Sequence, residues 1–276
     1  MVKVVLLTTT VLALIAALAA TAIVVGGLYD VAATTRHTQP VFSLMHYAMR
    51  RAVSVRARGI EPPPLDERVV RERGALCYRA KCLQCHGGPG VARDELARGM
   101  QPLPTSLVDA ARDTPLAELY WVTRHGIRMS GMPGWQAHLS DADIWALAGF
   151  VSTLPRWTPA EFQAQMKRFD GALCRSEPAP TPGPPDARRG RELINQYACT
   201  ACHTVPGVAS TKPQVGPPLG GFAERTLIAG RLPHTPDNLA RWLREPQVID
   251  PLSAMPNLGV TEAHARDMAA YLGTLR

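Results

Sequence analysis

Residues 82–86 read CLQCH, and residues 199–203 read CTACH. Each stretch packs two cysteines and a histidine into five positions. Each also follows a segment with helical character, RVVRERGALCYRAK before the first and ARRGRELINQYA before the second. Zinc requires four ligands, and neither half has a second cysteine pair or a Cys/His pair at finger spacing. A thioredoxin-like dithiol needs a βαβ context that is missing here, and has no use for the trailing histidine. The remaining reading is attachment of a c-type haem, in which two thiols add to the vinyl groups and the neighbouring histidine binds iron. Cys82, Cys85, Cys199 and Cys202 are thus the expected haem-binding residues for two covalently attached c-type haems. His86 and His203 are the expected proximal metal ligands.

Each iron needs a sixth ligand. Downstream of the first motif stands RHGIRMSGMPGW, and downstream of the second DPLSAMPNLGV. Both contain Met-Pro in a loop before a final helical segment, which marks Met132 and Met255 as thioether ligands. His125 is the rival in the first half. Met129, Met166 and Met268 read as apolar filler. A thioether raises the reduction potential and fills the last axial position, so such a site passes single electrons and performs no bond chemistry. In VGPPLGG the Pro217 carbonyl is the expected acceptor for the other ring N–H of His203, with Pro104 in the matching role for His86.

The two halves repeat one another around these motifs. The closing segments DADIWALAGFVSTLP and AHARDMAAYLGTLR carry apolar stripes, Ile144, Leu147, Val151 and Leu154 in one and Ala265, Met268, Ala269 and Leu272 in the other. Ser140 and Thr261 are the expected N-caps, with Asp143 completing a capping-box-like pattern. Phe150 and Tyr271 occupy matching places. Gly74 and Gly190 sit in the opening helices, where a missing side chain lets another helix cross closely. No run alternates as a strand would, and 25 prolines and 22 glycines point to helices joined by many turns. The expected class is all-α.

Residues Val4 to Leu28 form an uncharged apolar run longer than the ~20 residues needed to cross a bilayer. A cleaved signal peptide is the competing reading, although signal cores span only about 7–15 residues. The expected organisation is a transmembrane anchor over 1–29 and a connecting segment over 30–64, then a first domain over 65–176, a proline-rich linker over 177–186 and a second domain over 187–276. In the connecting segment Val41, Leu44, Met45, Ala48, Ala52 and Val55 recur at helical spacing opposite a basic face. This describes a helix lying on the membrane or packed on its own domain. Cys77 and Cys174 remain, either as a disulfide or as two buried thiols. The net charge is +7, but the arginines are scattered without interleaved aromatics, which argues against nucleic acid as a partner. It suits instead a redox partner with an acidic docking face.

With these residues in place, both halves resemble class I cytochromes c. Residues 187–276 are similar to the cytochrome c domain fused to subunit II of haem–copper oxidases, through CTACHTVPG, VGPPLGGFAERTLIAGRLPHTPDNLARWLREPQ and MPNLG. The first half, with HGIRMSGMPGW and DIWALAGFVSTLP, resembles membrane-anchored bacterial monohaem cytochromes, and the layout as a whole resembles the dihaem subunit of cbb3-type oxidases. The resemblance implies an electron-transfer protein without catalytic residues of its own. It would stand in a respiratory chain between a quinol-oxidising complex or soluble cytochrome and a terminal oxidase. Haem attachment to such motifs takes place outside the bacterial cytoplasmic membrane, which implies periplasmic domains. The positive-inside rule, applied to Arg36, Arg50, Arg51, Arg56 and Arg58, points the other way, and the haem requirement outranks it. Two other readings are a dihaem peroxidase and the electron-transfer subunit of a periplasmic dehydrogenase.

Overall fold

The computed structural model describes residues 1–174, 183–211, 213 and 215–276. Most of the expected linker therefore lies outside the described residues. The first helix, Val2–Val25, has no acid in its first turn, no base in its last turn and no buried residue. It is long and apolar enough to cross a membrane, at about 36 Å for its 24 residues.

The second helix, Gln39–Arg56, buries Val53 alone, and Ala57 just past its end is buried as well. The expected apolar stripe lies on a different face: Val41, Leu44, Met45 and Val55 are all exposed. Between residues 31 and 60 there are five arginines and no acid.

In the first half the chain turns through Glu67–Val69, a wide π-helical turn Val70–Gly74 and the helix Ala75–Lys81, and then enters the motif. The closing helix Asp141–Thr153 crosses it at Gly74, where an added Cβ would stand well under 3.0 Å from the Ala146 carbonyl oxygen and the Phe150 Cβ. The closing helix is buried all round, from Asp143 to Val151, and not along one stripe. The reason is that it packs against the opening turn and helix, Leu107–Asp113 and Leu116–His125. Ser140 caps it by accepting from the Asp143 amide. The Asp143 carboxylate accepts from the Ser140 hydroxyl at 2.6 Å and pairs with Arg73.

A third long helix, Pro159–Arg168, extends this half. It is capped by a reciprocal Thr158–Glu161 box and contributes Phe162 to an aromatic cluster with Tyr78, Phe150 and Trp157. Cys77 and Cys174 form a disulfide with Cα atoms 4.9 Å apart, which ties the opening helix to the segment beyond this third helix.

The second half repeats the crossing with fewer parts. Ala187–Gln196 meets the closing helix Glu262–Leu272 at Gly190, where an added Cβ would collide with the Asp267 carbonyl and press on Tyr271 Cβ. Gly74 with Ala146 and Phe150, and Gly190 with Asp267 and Tyr271, are thus the same contact made twice. Thr261 caps the closing helix through the His264 amide. Helix Pro236–Arg244 seals the core with Leu239, Trp242 and Leu243. One pairing, Leu227–Ile228 against Leu232–Pro233, is a two-residue antiparallel turn and the sole named sheet among the described residues.

Candidate functional site

The Cys-x-x-Cys-His segments each sit at the end of an opening helix. In the first, Cys82 is buried, while Cys85 and His86 are half-buried. In the second, Cys199, Cys202 and His203 are all half-buried. All four cysteines are free. Burial pushes the Cys82 thiol up to about 12 and the Cys199 thiol up to about 11. A redox or nucleophilic thiol needs the opposite shift, because the thiolate is the reactive form. Among the described residues no cluster of three or more His, Cys, Asp or Glu side chains converges to hold a metal ion.

His86 Nδ1 lies 2.8 Å from the Thr105 carbonyl oxygen, and His203 Nδ1 lies 2.8 Å from the Pro217 carbonyl oxygen. A carbonyl can only accept, so Nδ1 carries the proton in both rings and the Nε2 lone pair is left for a metal. Pro217 stands where the sequence places it. In the first half the acceptor is Thr105, one residue beyond the expected Pro104, because loop register cannot be counted from the position of a proline. Around His203 the main chain is fixed further by Gly216 N to Cys202 O and Leu219 N to Thr204 O, both 2.8 Å. A Cβ at Gly216 would run into the imidazole ring itself.

The Met-Pro loops share a detail that the sequence reading overlooked. Ser130 Oγ accepts from the Met132 amide, and Ser253 Oγ accepts from the Met255 amide, both at 3.2 Å. The signal was present as SGMP and SAMP, a serine two positions before each methionine. The Met132 carbonyl accepts from Ile127 N at 3.1 Å, and the Met255 carbonyl from Gln247 Nε2 at 2.6 Å. Both methionines are half-buried. Of the three expected fillers, Met166 and Met268 are buried in the cores. Met129 is 92% exposed at φ 60° and fills nothing. His125 is exposed, and its ring lies against Trp121 with centroids 4.9 Å apart.

The loops beyond the motifs are also held. Tyr78 Oη donates to Gly87 O at 2.7 Å, and Tyr271 Oη donates to Pro206 O at 3.2 Å. Among the described residues two buried side-chain nitrogens have no hydrogen-bond partner, Arg93 Nε in the first half and His234 Nε2 in the second. The Arg93 charge acts on His86 and adds to burial in holding its pKa below the usual range. Free paired thiols, histidines with an open Nε2, and the unpartnered Arg93 Nε whose charge acts on His86 all fit a haem.

Comparison with known proteins supplies the deciding observation. Residues 70–151 match the family model described as cytochrome c oxidase, cbb3-type, subunit III, and residues 187–276 match the model described as cytochrome c. The chain carries two cytochrome c domains. They imply haem as cofactor and electron transport as the work. The chain is also similar to cytochrome c oxidase subunit 2 of Alkalihalophilus pseudofirmus, at 33% identity over 33% of this chain and 26% of that protein. For the protein of the same name from Bacillus sp. strain PS3 the figures are 31% identity over 46% and 34%. For that of Bacillus subtilis they are 32% over 29% and 24%. The matches span about a quarter to a third of these relatives' length.

Proposed function

We propose that this chain is a membrane-anchored dihaem c-type cytochrome that carries single electrons in a respiratory chain, to or within a terminal oxidase complex. Cys82 and Cys85 hold one haem and Cys199 and Cys202 the other, each through thioether bonds. His86 with Met132, and His203 with Met255, would ligate the two irons. When bound, each haem supplies an iron that takes up and releases one electron. The observation that carries the reading is the repeated 2.8 Å bond from His Nδ1 to a main-chain carbonyl. It fixes the ring plane and leaves Nε2 free for the iron in both halves.

The remaining residues hold this arrangement still. Ser130 and Ser253 fix the methionine amides, and Tyr78 and Tyr271 fix the loops on the histidine side. Arg93 Nε is the donor offered to a propionate. With a histidine and a methionine from the chain for each iron, no position would be left open for peroxide, which favours a carrier over a peroxidase. The domains belong on the periplasmic side of the bacterial cytoplasmic membrane, with Val2–Val25 as the anchor. The exposed stripe of Gln39–Arg56, beside five arginines and no acid, supports a helix resting on an anionic membrane surface.

The test is purification of the chain from membranes of its own host. The expected result is two covalent haems by mass, thioether charge-transfer bands in the ferric spectrum, and co-purification with an oxidase. One haem, or rapid cyanide binding at stoichiometric levels, overturns it.

A further inference from the structure

The two halves meet through a small set of rings, and one first-half residue is buried inside the second half's core. Ala137, 3% exposed, belongs to the cluster built from Ile194, Tyr197, Ala265 and Met268. It lies in the loop that runs from Met132 to the Ser140 cap. Along this loop Trp135 packs on the first core, with Lys81 Nζ 5.3 Å above its ring, and Lys81 directly precedes Cys82. The Trp135 and Gln136 amides donate to Thr123 O and Arg124 O, so the loop is pinned to its own half.

From Trp135 the rings continue across the boundary. His138 stands edge-on to Trp135, with centroids 6.4 Å apart, and edge-on to Tyr197 at 5.5 Å. Both spacings lie within the range of directly interacting rings. Tyr197 is 4% exposed, and its hydroxyl lies 2.9 Å from His264 Nδ1 and 3.5 Å from Ala137 O. Tyr197 precedes Cys199 by two residues, and Cys199 packs against the same core cluster to which Tyr197 belongs.

We infer that this seam is where electrons cross between the two haem sites, from the Met132 loop through Trp135, His138 and Tyr197 to the Cys199 segment, or in reverse. The inference rests on the dihaem reading above. One electron crosses at a time: the donor iron passes from ferrous to ferric and the acceptor from ferric to ferrous, with no bond or proton exchanged. Electron transfer weakens steeply across empty space, and packed rings replace a gap here with continuous matter. The same contacts fix the distance between the halves, which a proline-rich tether does not do by itself.

The test uses the full haem-loaded chain in detergent, with His138→Ala and Tyr197→Phe. After a flash that reduces part of the haem population, the rate of redistribution between the two haems is followed, together with both potentials and amide exchange at 135–139 and 193–199. His138 is exposed, so its truncation leaves folding intact. The expected result is several-fold slower redistribution and faster exchange at Ala137 in His138→Ala, with both potentials retained. Tyr197→Phe keeps the ring and should leave the rate unchanged. An unchanged rate in His138→Ala overturns the inference whatever the exchange shows. A chain with fewer than two haems fails on the mass measurement instead, which is the failure of the dihaem reading and is distinct from failure of the seam.

Discussion

Both halves hold the loop beyond their Cys-x-x-Cys-His segment with a tyrosine hydroxyl, but from opposite helices. In the first half the tyrosine is Tyr78 on the opening helix, and in the second it is Tyr271 on the closing helix. The halves likewise anchor an arginine next to the crossing glycine, Arg73 or Arg189, on an acid of the closing helix, Asp143 or Asp267, and the two acids are not at matching positions. The glycine crossing, the His–carbonyl bond and the Ser–Met amide bond are the same in both. What the site geometry demands is repeated residue for residue, and what merely closes a core is solved twice. The first half adds a helix, an aromatic cluster and a disulfide, whereas the second closes its core with one short helix, Pro236–Arg244.

The severest way to break the comparison is to substitute the crossing glycines. Gly74→Ala and Gly190→Ala each set a methyl against a main-chain carbonyl that cannot swing away. Each is expected to destabilise its own half by about 3 kcal/mol, at the upper end for overpacking. Urea unfolding followed at each haem's absorbance checks this, and equal losses in both halves for either variant would refute a local effect. Next comes Cys174→Ser, which opens the bridge over a sequence separation of 97. It is expected to cost the first half about 2–4 kcal/mol and leave the second half's urea midpoint where it was. Asp267→Asn tests the second half's version of the arginine–acid pair. Its carboxylate is 3% exposed and accepts from Arg189 and from the Asp186 amide. A loss of roughly 2 kcal/mol is expected, the scale of bonds to charged groups, and thermal unfolding should place it in the second half alone.

The smaller effects sharpen the contrast. Tyr78→Phe and Tyr271→Phe should each cost about 1 kcal/mol, more for the buried 2.7 Å bond of Tyr78 than for the half-buried 3.2 Å bond of Tyr271. Smallest is a pH effect on the second half. Burial lowers the pKa of His264, assisted by the charge of His138 and opposed by Asp267. A base whose folded pKa is depressed stabilises the fold above its ordinary value near 6.5 and loses that contribution as pH falls through the folded value. The second half's urea midpoint should therefore drop between pH 7.5 and 5, and His264→Gln should flatten that drop.

Much of this was legible because its signals are local. Two five-residue motifs, a serine or threonine cap before each closing helix, and a glycine sixteen or fewer residues before each histidine need only nearby positions to be read. The helix Pro159–Arg168 had equally local signals in TPAEFQ, a threonine cap, a proline at the first turn and a glutamate three residues on. It was missed because it lies outside the repeated unit, where the repeat offers no guide. The acceptor for His86 was placed one residue early, since only the folded path of the loop decides between neighbouring carbonyls. The Cys77–Cys174 bridge was open in the sequence as one of two readings and is formed, whereas the burial of Ala137 in the other half's core is a long-range pairing with no spacing rule to announce it. The exposed stripe on Gln39–Arg56 was visible in sequence, but which face the helix buries was not: Val53 and Ala57 turn inward instead.

The choice of main-chain oxygen at Thr105 and Pro217 has a consequence for how such sites change over time. A carbonyl belongs to every residue type, so neither histidine's orientation is encoded in a side chain that a point substitution could delete. Thr105→Ala would leave that acceptor in place. Insertion or deletion in the 99–106 or 213–219 loop would remove it at once. Outside Gly216, where any side chain would strike the His203 ring, the two sites are thereby tolerant of drift in letter and intolerant of drift in length.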